Sequence, residues 1–134
     1  MALAHVRRGS GPPLVLIHGI GSQWQMWRPV LDRVSREREV VAVDLPGFGD
    51  SAPLPGRPTV EALAGAVAEF LDGLGLAGAH AAGNSLGGGN SRQSARAQRL
   101  LPGARHVVLT GCGHVPTWDD PEQVARVLLD ASAA

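Results

Sequence analysis

Ala81-Ala82-Gly83-Asn84-Ser85-Leu86-Gly87-Gly88 places the pattern Gly-x-Ser-x-Gly at the end of a short apolar run. A strand that turns sharply at Ser85 forces that residue into a strained backbone conformation, and the flanking glycines leave room for the neighbouring chain. The hydroxyl then projects above the sheet edge, and the backbone N–H of Leu86 faces the position where an oxyanion would develop. In a chain with 18 glycines the same letters also read as an ordinary glycine-rich loop. The surroundings of the stretch decide between the two readings.

Upstream, Leu14-Val15-Leu16-Ile17 and Val40-Val41-Ala42-Val43 are continuous apolar runs bounded by turn residues, the pattern of strands buried on both faces. Leu3 to Arg7 reads as a shorter strand, Ala79 to Ala82 as the strand entering the Ser85 turn, and His106 to Leu109 as a further strand. Helical spacing links them: Trp27, Val30, Leu31 and Val34; then Ala62, Leu63, Ala66, Val67, Phe70 and Leu71 behind a Thr59 cap. A weaker, Arg-bearing helix is expected from Ser91 to Leu101. The last helix runs through Val124, Val127, Leu128 and Leu129, capped by Asp119 or Asp120 with Pro121 in its first turn. Strands alternating with helices predict a parallel sheet whose working loops leave the carboxyl ends of its strands. That rim carries the loops at His18, Asp44, Ser85 and His114, so a nucleophile, a base and an oxyanion loop converge.

Composition narrows the classes. The 134 residues suffice for one domain with its own core, and zero formal charge removes a global argument for nucleic-acid or anionic-membrane partners. Every basic residue is Arg, which reads as coding bias. Cys112 is the single cysteine, so an intrachain disulfide is excluded. The first residues lack a charged region followed by a long apolar one, and no apolar run is long enough to span a bilayer. A cytoplasmic location, with no membrane or nucleic-acid partner, is the expectation.

With these motifs in place, the chain resembles the α/β-hydrolase family, and its esterase-like members in particular because Ser85 stands at the turn. His18-Gly19-Ile20-Gly21 is similar to the family's oxyanion loop, which implies that the Ile20 N–H joins that of Leu86. Asp44-Leu45-Pro46-Gly47-Phe48-Gly49-Asp50-Ser51 is similar to the loop after the family's fourth strand. Leu101-Pro102-Gly103-Ala104-Arg105, Gly113-His114-Val115-Pro116 and Asp120-Pro121-Glu122 together resemble its C-terminal histidine segment. The implied fold is a reduced α/β-hydrolase-like three-layer sandwich, a mostly parallel sheet of about four to five strands with helices on both faces. The implied chemistry is a serine hydrolase cleaving small carboxylic esters, with Ser85 as nucleophile, His114 as base and no cofactor or metal.

The departures from the family pattern are equally specific. Family domains run to about twice this length, and here the sequence passes from Gly88 almost directly into what resembles the helix before the last strand. The cap, intervening strands and acid-bearing loop are read as missing from a single minimal domain. No Asp or Glu occurs between Asp72 and Asp119, so the usual triad acid is absent. Asp44 is the substitute candidate, with a loop-forming role as its alternative. A free sheet edge and uncovered apolar surface predict a homo-oligomer. The competing reading is a non-catalytic, internally deleted fragment that folds or assembles without turnover.

Other residues have plainer readings. His18 shapes the oxyanion loop; His5, His80 and His106 are strand or surface residues. Trp27 packs in the core, while Trp24 is a candidate for lining an acyl pocket. Cys112 reads as a small buried residue, with a reactive thiol as the alternative. Asp119, Asp120 and Glu122 are helix-start residues opposing the dipole. No His, Cys and carboxylate spacing makes a metal site, and the glycines match no phosphate loop or dinucleotide fingerprint.

Overall fold

The computed structural model describes residues 1–84, 99, 103, 107 and 109–133. Four strands form one sheet: β1 (His5–Arg8), β2 (Pro13–Ile17), β3 (Glu39–Val43) and β4 (His80–Gly83), in the order β1-β3-β2-β4. β2 pairs in parallel with both β3 and β4, whereas β1 runs antiparallel to β3 at the outer edge. In register, Leu16 stands beside Ala42 on one side and Ala82 on the other. The sheet is therefore mostly parallel, as the apolar runs predict.

A two-residue period sorts the strand side chains between two layers. Leu14, Leu16, Val40 and Ala42 face α1 (Arg28–Ser35) and the C-terminal helix. Val41 and Val43 face the other way, against Val67 and Phe70 of α2 (Val60–Gly73). Helices thus cover both faces of β3, which explains why its sequence is continuously apolar instead of alternating. Trp27, Val30, Leu31 and Val34 are all buried in the first layer, as their spacing requires. A 3-10 turn, Trp24–Trp27, precedes α1 and delays its start, because Pro29 favours the first turn of the helix over its interior.

The capping expectations hold at α2, where the Thr59 hydroxyl accepts the Ala62 N–H at 3.1 Å. A short helix, α3 (Pro116–Asp119), follows the His114 loop, and α4 (Pro121–Ala131) closes the chain. Of the two cap candidates, Asp120 is the one used: its Oδ1 accepts the Gln123 N–H at 3.0 Å. Arg38 joins α4 to the start of β3. It is buried and donates to the Leu129 carbonyl and the Ser132 hydroxyl, the negative end of the helix.

One strand expectation is corrected in part. Val107 and Leu109 belong to no strand; Leu109 packs against the helix-side core, and the next residue, Thr110, has both backbone groups taken by the Gln123 side chain. His106 and Val108, the helix expected over 91–101 and the parallel crossover leading from it lie outside the described residues. No helix among the described residues is long and apolar enough to cross a membrane.

Candidate active site

The loops that leave the carboxyl ends of β2, β3 and β4 meet the His114 loop on one rim. After β2, Ser22 N–H donates to the Gly19 carbonyl at 3.2 Å, closing a tight turn in which Gly21 has φ +79°. A positive φ at the third turn position suits glycine, and it leaves Ile20 at the apex, 55% exposed. His18 fixes this turn to the neighbouring loop. Its Nε2 accepts the Leu45 N–H at 2.9 Å and its Nδ1 donates to the Gly19 carbonyl at 2.6 Å, a pattern that assigns a neutral ring protonated on Nδ1. The ring is buried and meets Phe48 edge-on. Its role is to shape the loop.

Asp44 is completely buried at the end of β3. Its Oδ1 accepts the Trp24 N–H at 2.7 Å and its Oδ2 accepts the Asp50 N–H at 3.0 Å. Two backbone donors thus compensate a desolvated carboxylate and tie the 3-10 turn to the β3 loop. Gly49 makes that approach feasible: it adopts φ +52°, and a Cβ there would collide with the Asp44 carboxylate. Ser51 completes the loop, donating to the Asp44 carbonyl at 2.7 Å and accepting the Ala4 N–H at 2.9 Å. This geometry is that of a loop brace.

β4 ends at Gly83, and the Asn84 N–H continues its ladder to the Ile17 carbonyl at 3.1 Å. The Asn84 side-chain amide then donates to the His114 carbonyl at 3.4 Å. The residue preceding Ser85 is therefore in contact with the loop that carries the candidate base. Ser85 and Leu86 themselves lie outside the described residues.

His114 sits exposed between two anchors. Gly113 N–H donates to Asp119 Oδ2 at 2.6 Å, and beyond it the buried Thr117 hydroxyl donates to the Met26 carbonyl at 2.7 Å. Asp119 thus serves the histidine loop and leaves the α4 cap to Asp120. Cys112 lies in the same loop, where burial and then the charges of Asp120 and Asp119 push its thiol above the usual range. A shift in that direction weakens the thiol as a nucleophile.

A groove of about 910 Å³ opens beside these loops, bounded by Gly21, Gln25, Met26, Phe48, Val115 and Trp118. Val115 and Trp118 are among the exposed large apolar residues, and with Ile20 they give this rim an apolar border. Trp24 is not part of it: the indole packs on the helix-side core and under the Arg28 guanidinium, while the Trp24 backbone N–H is held by Asp44. A separate cavity of about 580 Å³ lies between β4 and α4, lined by Leu14, Trp27, Ala82, Val107 and Leu128. Among the described residues no group of three or more His, Cys, Asp or Glu side chains is arranged to hold a metal ion.

The family described as alpha/beta hydrolase fold matches residues 12–96, more than half of the chain. The chain belongs to the α/β-hydrolase fold family. It is 42% identical over 100 residues to the dihydrolipoyllysine-residue acetyltransferase component of the acetoin cleaving system of Cupriavidus necator, covering 72% of this chain and 27% of that protein. It is 39% identical over 107 residues to the 2-hydroxy-6-oxo-2,4-heptadienoate hydrolase of Pseudomonas putida, covering 77% of this chain and 38% of that enzyme. A solved hydrolase from Pseudomonas aeruginosa superimposes with a TM-score of 0.59 at 38% identity, over 64% of this chain and 33% of its own. The chain thus spans between about a quarter and two-fifths of the length of these relatives.

Proposed function

We propose that this chain is a serine hydrolase of small carboxylic esters, working through an acyl-enzyme. The observation that carries the reading is the Asn84–His114 contact, since Asn84 is bonded in sequence to Ser85 and the contact brings the β4 exit against the His114 loop. Family membership and hydrolase relatives support it. In the proposed reaction His114 removes the Ser85 hydroxyl proton while Oγ attacks the ester carbonyl. The Ile20 and Leu86 N–H groups hold the oxyanion; the exposed apex position of Ile20 suits that task. Collapse breaks the ester C–O bond, His114 gives its proton to the leaving alcohol, and water repeats the sequence on the acyl-enzyme.

The groove lined by Met26, Phe48, Val115 and Trp118 suits a short apolar acyl or alcohol group. We assign Asp44 to bracing instead of the triad acid, because its oxygens hold the Trp24 and Asp50 N–H groups and no hydrogen bond joins it to His114 among the described residues. An acid-free pair is slow; disabling the acid of a well-studied triad costs about 10⁴-fold in turnover. A second reading, a shortened domain that folds or self-associates without turnover, draws on the same occupied carboxylate and on the acid-free stretch between Asp72 and Asp119. Hydrolysis of 4-nitrophenyl acetate separates them. Turnover above a Ser85→Ala control supports the hydrolase, and equal rates remove it.

A further inference from the structure

The proposed Ser85–His114 pair lacks an acid to orient the imidazole, so its orientation has to come from the loop that carries it. Besides the long Asn84 contact, the Gln123 and Asp119 side chains hold that loop from outside. Gln123 Oε1 accepts the Thr110 N–H at 3.0 Å, and Gln123 Nε2 donates to the Thr110 carbonyl at 3.0 Å. One side-chain amide thereby supplies both bonds that a neighbouring strand would supply. Gln123 is itself fixed, its Nε2 donating to Asp120 Oδ2 at 3.1 Å and its N–H to Asp120 Oδ1 at 3.0 Å. Asp119 grips the other end, its Oδ2 accepting the Gly113 N–H at 2.6 Å, one residue before His114. This bond is short because it is charge-assisted, and Gly113 allows it: a Cβ there would stand 3.2 Å from the same oxygen.

We propose that Asp119 and Gln123 are positioning residues for His114, fixing the peptide on its amino side so that the imbalance left by the missing acid is met through the backbone. The inference rests on the reading of His114 as base, and it goes beyond it by assigning roles to two residues outside the reacting groups. Neither residue touches substrate. Their effect is on where the imidazole stands when the Ser85 proton is removed, and a misplacement of about 1 Å in such a group can cost about 100-fold in rate.

The test uses the full chain, with steady-state hydrolysis of 4-nitrophenyl acetate and NMR amide exchange at Thr110 and Gly113. Asp119→Ala and Gln123→Ala are expected to lower kcat by about 10- to 100-fold with KM unchanged. Each should also speed amide exchange at the residue it holds. Asp119→Asn keeps an acceptor oxygen and should recover most of the rate, whereas a purely electrostatic role would give no recovery. An active wild type whose kcat is unchanged in both alanine variants overturns the positioning role alone, even if their melting temperatures fall. A wild type no faster than Ser85→Ala, with Gly113 and Thr110 still protected, overturns the hydrolase reading and the positioning role with it, leaving the clamp as architecture.

Discussion

The side-chain amide of Asn84 reaches the backbone carbonyl of His114 across a distance of 3.4 Å. Asn84 also extends the β4–β2 ladder through its N–H to Ile17, so one residue couples the sheet to the histidine loop. The link is long for a hydrogen bond and sits at the surface, which makes it a guide to proximity more than a source of stability. The stronger constraints on the rim are the buried side-chain bonds to backbone at His18, Asp44 and Thr117.

Asp44→Asn separates bracing from acid catalysis. An amide keeps one acceptor oxygen and turns an NH₂ toward the other backbone donor, so one buried N–H loses its partner. The expected cost is about 1–3 kcal/mol of stability. A denaturant titration should show the lower midpoint, with turnover falling only as far as unfolding explains. Full stability with a turnover as low as that of Ser85→Ala would make Asp44 the acid after all.

Gly49→Ala tests the same brace from the opposite side. The methyl group would enter the space of the Asp44 carboxylate, and φ +52° is unfavourable for alanine. Backbone strain alone contributes about 1–3 kcal/mol. Thermal unfolding should show a drop comparable to that of Asp44→Asn, and the double variant should be less destabilised than the sum, since both disturb one contact. Strict additivity would show that the two residues act separately.

The α4 cap carries a pH dependence of known sign. Hydrogen bonds from the Gln123 N–H and side chain, assisted by the Arg126 charge, hold the Asp120 carboxyl below its usual range despite partial burial. Its contribution is therefore complete above the unfolded value of about 3.9 and is lost as pH falls through the lower folded value. Denaturant midpoints of wild type and Asp120→Ala should differ at neutral pH and converge under acid. A gap that persists below both values would mean that the charged cap is not its source.

The fold was legible because burial on two faces writes itself as short apolar runs. Leu14-Val15-Leu16-Ile17 and Val40-Val41-Ala42-Val43 both became parallel strands, and Thr59 capped its helix where the local pattern placed it. What stayed illegible was every role that depends on a side chain meeting distant backbone. Asp119 reads as a helix-start residue, yet its carboxylate turns back to Gly113; Gln123 and Thr117 carry no local signal, since Thr110 and Met26 reach them only through the tertiary fold. Trp24 was misplaced for the same reason, its backbone being claimed by Asp44 from another loop. Val107 and Leu109 read as strand residues from their apolarity, which does not distinguish a paired strand from residues lining a cavity, as these two do.

The central claim, that Ser85 is a nucleophile activated by His114, is tested most directly by covalent labelling. The wild-type chain is incubated with a fluorophosphonate, digested and sequenced by mass spectrometry, beside His114→Ala and Ser85→Ala. Ser85 should be phosphonylated in wild type, labelled much more slowly in His114→Ala, and position 85 should stay unlabelled in Ser85→Ala. An unlabelled Ser85 in folded wild type, or labelling equally fast without His114, would contradict it.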